Sequence, residues 1–176
     1  MSASARTFNR EVIMTRTSHR EMPAHRVPST PHPVFRELDR RTCERVLRRN
    51  HVARLAFSFN DRVDIEPIHY VYDEGWRFGR TSPGSKLLTI SHSHWVALEV
   101  DEISAMFDWR SVVVHGTFLT LDPAVPGVEA QAWGRAVSLL RELVPETGTA
   151  SDPVAFRTVM FRIHIDEVAG REASTK

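Results

Sequence analysis

Cysteine is almost absent: the 176 residues hold one, Cys43. An internal disulfide is thereby excluded, and a reducing cytoplasm is the natural home of such a chain. Long apolar runs are missing too. No stretch of about 18 hydrophobic residues occurs, so the sequence offers no membrane-spanning helix. An excess of one charge is also lacking. The 23 Lys and Arg against 22 Asp and Glu leave a net charge of +1, which argues against nucleic acid as the partner. Nine histidines are present, yet no HExxH, CxxC or facial-triad spacing accompanies them, so no metal centre is read. His92 and His94 share one face of a strand, with His115 and His164 on other strands, and they read as structural or exposed groups. Repeated strand–helix alternation is absent as well, which excludes a doubly wound parallel sheet.

What is present fits one domain with a proper core: 41% of residues are hydrophobic and 26% charged, which leaves no reason to expect wholesale disorder. Residues 1–33 differ from the rest. They carry Arg6, Arg10, Arg16, Arg20 and Arg26, with Val12, Ile13 and Met14 as the one apolar cluster. A secretory signal needs a continuous apolar stretch of about 7–15 residues, and Glu11 and Glu21 count against a transit peptide. The segment reads as a flexible basic arm, with Met14 as an alternative start of translation. Pro23, Pro28, Pro31 and Pro33 then mark where the folded domain, 34–176, begins.

"FRELDRRTCERVLRRN" reads as a helix with Asp39 as N-cap and Cys43, Val46 and Leu47 as its apolar face. Its arginines form a solvated face, and Cys43 is a core residue. Period-two alternation follows in "HVARLAFSF" and in "RVDIEPIHYVY", where Pro67 demands an edge or a bulge. "DEG" is a hairpin turn that returns as "WRFGR". "HWVALEVDEI", "SVVVHGTFLTL" and "VMFRIHIDEVAG" complete six strands, and "VEAQAWGRAVSLLREL" is an amphipathic helix. Such strands are expected to close into a small antiparallel barrel, which removes their edges. "SVVVHGTF" is apolar on both pleat faces, so a twin subunit is expected to cover the face that the monomer leaves open.

The stretch "GRTSPGSKLL" carries the chemistry. Gly79 and Gly84 have P-loop spacing, but Ser85 precedes Lys86 where that motif needs lysine and then a hydroxyl. Nucleoside triphosphate hydrolysis is rejected. Arg80, Thr81, Ser82, Ser85 and Lys86 nevertheless gather two cations and three hydroxyls around the Pro83-Gly84 turn. Such a turn can converge backbone N–H groups on an anion, and a helix starting at Ser85 would add its N-terminal partial charge. A polar turn with a surface lysine is the other reading of these residues. Ser111 has no neighbouring histidine, and Glu99 and Asp101 read as strand-end charges, so no catalytic residue is named.

"RLAFSFNDRVDIEPIHYVYDEGWRFGRTSPGSKLLTISHSHWVALEVDEI" followed by "WRSVVVHGTFLTL" resembles the FMN-binding split-barrel family, in particular pyridoxamine 5′-phosphate oxidase-like proteins. The resemblance spans about Leu38 to Gly170 and rests on the order of its motifs. It implies a mainly β fold with short helices: a six-stranded antiparallel split β-barrel of Greek-key type, dimeric, with FMN in two symmetric clefts. By the same resemblance, Lys86 and Ser85 would hold the FMN phosphate, with Arg80, Thr81 and Ser82 beside it. Ile65, Glu66, Pro67 and Ile68 would offer backbone groups to the flavin ring, and Trp109 and Ser111 would reach it from the other subunit. True pyridoxamine phosphate oxidases carry an Arg-Lys pair where this chain has Ser85-Lys86, and their C-terminal substrate motif is not recognisable here. The expected activity is therefore electron transfer between NADH or NADPH and an unidentified acceptor. The alternatives are a deazaflavin-dependent reductase on the same fold, and a non-catalytic flavin or haem module with His69 as an available axial ligand.

Overall fold

The computed structural model describes residues 32–60 and 62–175; the basic arm and the alternative start at Met14 lie outside the described residues. Period-two segments become strands wherever an inward row of apolar side chains can be buried. The elements run β1 (Pro33–Glu37), α1 (Arg40–Arg49), β2 (Val52–Phe59), β3 (Arg62–Asp73), β4 (Trp76–Thr81), α2 (Ser85–His92), β5 (Trp95–Ala105), β6 (Asp108–Leu121), α3 (Val128–Leu143) and β7 (Val159–Thr175). Among these helices none is long and apolar enough to cross a membrane.

The strands lie in the order β1-β7-β4-β3-β2-β5-β6, and a further pairing of β6 with β7 closes six of them into an antiparallel ring. β7 does the closing. It pairs with β4 over Val159–His164, with β6 from Met160 to Ala173, and with β1 at its far end. The six strands expected from the alternation form the ring, and β1 is an addition to them. Phe35 to Glu37 belong to this extra strand and not to the helix that the sequence pattern extends back to Phe35. The reason is local. Asp39 is extended and accepts the Thr42 amide at 2.6 Å, which caps α1 there, and the preceding residues find hydrogen-bond partners along β7.

Inside the ring, Leu55, Tyr70, Leu98, Val112, Val114, Phe161 and Ile163 form the main core, with Phe118 stacked on Phe161 at 4.7 Å. Helix α1 packs Cys43, Val46 and Leu47 into the same core, and Tyr70 donates its hydroxyl hydrogen to the Leu47 carbonyl at 2.8 Å. A second cluster sits between α3 and the opposite side of the sheet, where Val71, Phe78 and Met160 meet Ala136, Leu139 and Leu140. Trp133 packs against it as a partly buried residue.

Two positions set the tightness of the ring. A Cβ on Gly116 would lie 1.9 Å from the His164 carbonyl oxygen, beside the register shift that separates His115 from Gly116 along β7. Only a residue without a side chain lets the two backbones approach so closely. Arg77 is the opposite case: a 0% exposed cation whose guanidinium nitrogens have no hydrogen-bond partner. The Tyr72 ring, 5.7 Å away, is its nearest compensation. Burial pushes its pKa down to about 10, so it stays charged at neutral pH in surroundings that penalise the charge.

Gly116→Ala is expected to cost about 2–3 kcal/mol in chemical denaturation, because the closing ladder must move to admit the methyl group. Arg77→Met is expected to stabilise the protein by about 1–3 kcal/mol in the same experiment, since a buried unpaired charge is exchanged for packing. A loss of stability in the methionine variant would show that the guanidinium is compensated.

Candidate functional site

The site begins as an unpaired strand edge. β3 is 12 residues long and pairs with β2 along Arg62–His69, but β4 covers only Tyr70–Asp73 on its other side. Over residues 62–69 the edge away from β2 therefore has no strand beside it among the described residues. Pro67 falls in this stretch, where its missing N–H costs no ladder bond on the open side. Val63, Ile65 and Pro67 point outward and are exposed, whereas Glu66 is half-buried and Ile68 enters the core. Ile65 to Ile68 thus lie along an edge whose backbone donors and acceptors are open to a ligand.

The chain leaves β4 at Thr81, passes the exposed residues Ser82 to Gly84, and enters α2 at Ser85. Ile90 is buried and Leu87 packs on the core, which fixes the helix against the barrel. Gly84 at the N-cap has no side chain with which to cap the helix, so amides of the first turn lack an intrahelical acceptor. Lys86 follows directly. Its side chain is only 15% exposed, and its Nζ donates to Glu66 Oε2 at 2.6 Å. The lysine is thus held against β3 and not in bulk solvent. The exposed Ser82 and Ser85 flank the same turn, and Lys86 is the second residue of the helix that begins there. The Glu66 carboxylate already takes up the charge of Lys86.

The other expected residues divide. Arg80 does not add its charge to this corner. It projects to the α3 side of β4 and forms a two-point ion pair with Asp152, whose carboxylate also accepts the Gly148 and Val154 amides. These bonds, the one from Arg80 foremost, hold the Asp152 carboxyl well below the usual carboxylate range. Thr81 is buried, on the other pleat face from Arg80. Trp109 and Ser111 lie on β6, away from Lys86: Trp109 is 6.2 Å from the Phe35 ring, and Ser111 donates to Glu99 Oε1 at 3.0 Å.

Some polar groups have no forerunner in the sequence reading. Asp152 carried one signal, the Asp-Pro dipeptide that opens a turn. Arg157 carried none, yet its Nη1 lies 2.9 Å from His69 Nδ1. Burial and the nearby Arg157 and Arg80 guanidiniums hold the His69 imidazole below its ordinary pKa.

The outward face of β3, β2, β5 and β6 is unusually apolar. Val63, Ile65 and Trp95 are 67%, 63% and 62% exposed, around a shallow depression that Ala56, Ala97 and His115 also line.

A chain with this ring and this corner can be set beside known proteins. The family model described as pyridoxamine 5′-phosphate oxidase matches residues 39–172. A FAD-binding protein from Mesorhizobium loti is 31% identical, with 81% of this chain and 99% of that one covered and a TM-score of 0.64. An uncharacterised protein from Rhizobium meliloti is 29% identical over 150 residues, which is 78% of this chain and 95% of the relative. A FAD-binding protein from Mycobacterium smegmatis, 19% identical over 78% of this chain and 97% of its own, has a TM-score of 0.54 and shares the fold. The ring of strands, the order of its elements and the match over most of its length place this chain in the pyridoxamine 5′-phosphate oxidase family.

Proposed function

We propose that the protein is a homodimeric oxidoreductase that holds FMN at the corner between α2 and β3. One observation carries this reading: the sheltered Lys86 ammonium lies at an uncapped helix N-terminus, against a strand edge left open by its neighbour. The phosphate would take Lys86, the first-turn amides and the hydroxyls of Ser82 and Ser85. The open edge at Ile65–Ile68 would offer backbone donors and acceptors to the flavin's polar rim. When bound, FMN would supply two-electron chemistry between NADH or NADPH and a small-molecule acceptor. The chain's own residues bind and orient; none is needed as nucleophile or acid.

The apolar outer face supports a second copy. Its Val63 and Ile65 lie on β3 itself and Trp95 lies across β2 from them, so a twin subunit placed over this face would wall the cleft and exclude water. Trp109 and Ser111 would then come from the partner's β6. The Mesorhizobium loti relative is described as FAD-binding; FMN is the reading here because the corner is built for one compact anionic group. A single, buried cysteine suits a reducing cytoplasm.

The native absorbance spectrum and the mass of the molecule released on denaturation test the cofactor directly: FMN, FAD, a deazaflavin and haem are distinct in both. Lys86→Ala is expected to weaken FMN binding by about tenfold or more. Glu66→Gln, which frees the ammonium, is expected to tighten it severalfold. A lysine variant that purifies with as much flavin as the parent would remove the corner from consideration.

A further inference from the structure

A pocket of ≈ 350 Å³ lies on the opposite side of β4 from the barrel core, between the end of α3, the segment that follows it and the outer faces of β3 and β4. Its apolar wall is Leu140, Leu143 and Val144 with Pro153 and Val154 across from them. The polar groups are few, and their charges can be settled one by one. Arg80 borders the pocket, but Asp152 neutralises it. Arg157 borders it too and, among the described residues, makes no ion pair; its Nη1 lies 2.9 Å from His69 Nδ1. A guanidinium can only donate, so His69 Nδ1 accepts, the ring is neutral and its proton is on Nε2. His51 adds an imidazole whose Nδ1 is 3.4 Å from the Tyr70 carbonyl oxygen. The wall also contains Thr147, fully buried, whose hydroxyl has no hydrogen-bond partner.

We infer that this pocket binds an amphipathic monocarboxylate, with its apolar body against the end of α3 and its carboxylate on Arg157. The size suits a small organic ligand, and apolar walls with a few polar groups are the ordinary construction of such sites. The charge selects the head group. One guanidinium is uncompensated, which matches a single negative charge. A phosphate monoester near neutral pH would bring a second charge into an apolar pocket without a partner, and burying an unpaired charge is costly. An amine would meet Arg157 with the same sign. The site does not depend on the flavin reading: none of its lining residues belongs to the corner at Lys86, and Arg80 is already held by Asp152. His69 directly follows Ile68 on β3, so a ligand here would lie next to the proposed flavin strand.

The test uses the full chain as purified, titrated calorimetrically with octanoate, octylamine and octyl phosphate. Octanoate is expected to bind at least about tenfold more tightly than either of the others, and Arg157→Gln to weaken it by about tenfold, with the melting temperature and bound flavin unchanged. Leu143→Asp, at the exposed rim of the pocket, is expected to weaken octanoate as well, and serves if the arginine variant does not fold. Absence of octanoate binding to the parent protein, equal binding of octylamine, or full octanoate affinity in a folded Arg157→Gln variant would each overturn the assignment. Octanoate binding to a parent protein that carries no flavin would sink the flavin reading and leave this one standing.

Discussion

The pairing of β6 with β7 is the constraint on which the remaining geometry depends. One 17-residue strand spans β4, β6 and β1, so a single strand joins the two ends of the six-stranded ring. Closure demands close backbone approach at Gly116, where the His164 carbonyl leaves no room for a side chain. β4 is six residues long and covers just the last part of β3, so the open edge lies where two strands of unequal length meet.

The cations near this edge are managed in four different ways, and the differences decide what each can do. Arg77 is buried, without a hydrogen-bond partner among the described residues. Arg80 is locked to Asp152, which ties the segment after α3 to the sheet. Lys86 is shared with an exposed-side carboxylate, a pairing in partial contact with water that an incoming phosphate can replace at modest cost. Arg157 rests on a neutral imidazole and keeps its full charge. Formal charge counted along the chain treats these four residues alike. Only the partner distinguishes a structural cation from one available to a ligand.

Much of the fold was legible because its signals are local. Period-two alternation located β2 and β3, the hairpin turn located β4, apolar strand-like runs located the other three strands of the ring, and Asp39 is the cap that α1 uses. The two-residue hairpin at Glu74-Gly75 was legible too, since both residues adopt positive φ, at 43° and 84°, as the favoured hairpin turns require. β1 was not legible. Its five residues are too few to display a period, and their ladder partners lie at the opposite end of the described chain. At the candidate site, a turn motif singled out Lys86, Pro67 signalled an edge or a bulge, and only the family resemblance pointed to the Ile65–Ile68 segment. The competition of Glu66 for Lys86 was not, because the two residues are 20 positions apart.

Sequence alone determined the class of the protein: antiparallel strands about a buried core, a capped helix, and a basic turn after the strand that returns from the hairpin. Those properties follow from hydrophobic period, turn chemistry and capping, each of which acts within a few residues. The tertiary structure decided which charges remain available. Arg80 finds Asp152 across 72 positions, and Arg157 finds His69 across 88. Such pairings are set by how the ring closes and where α3 packs, and no local pattern in the chain encodes them.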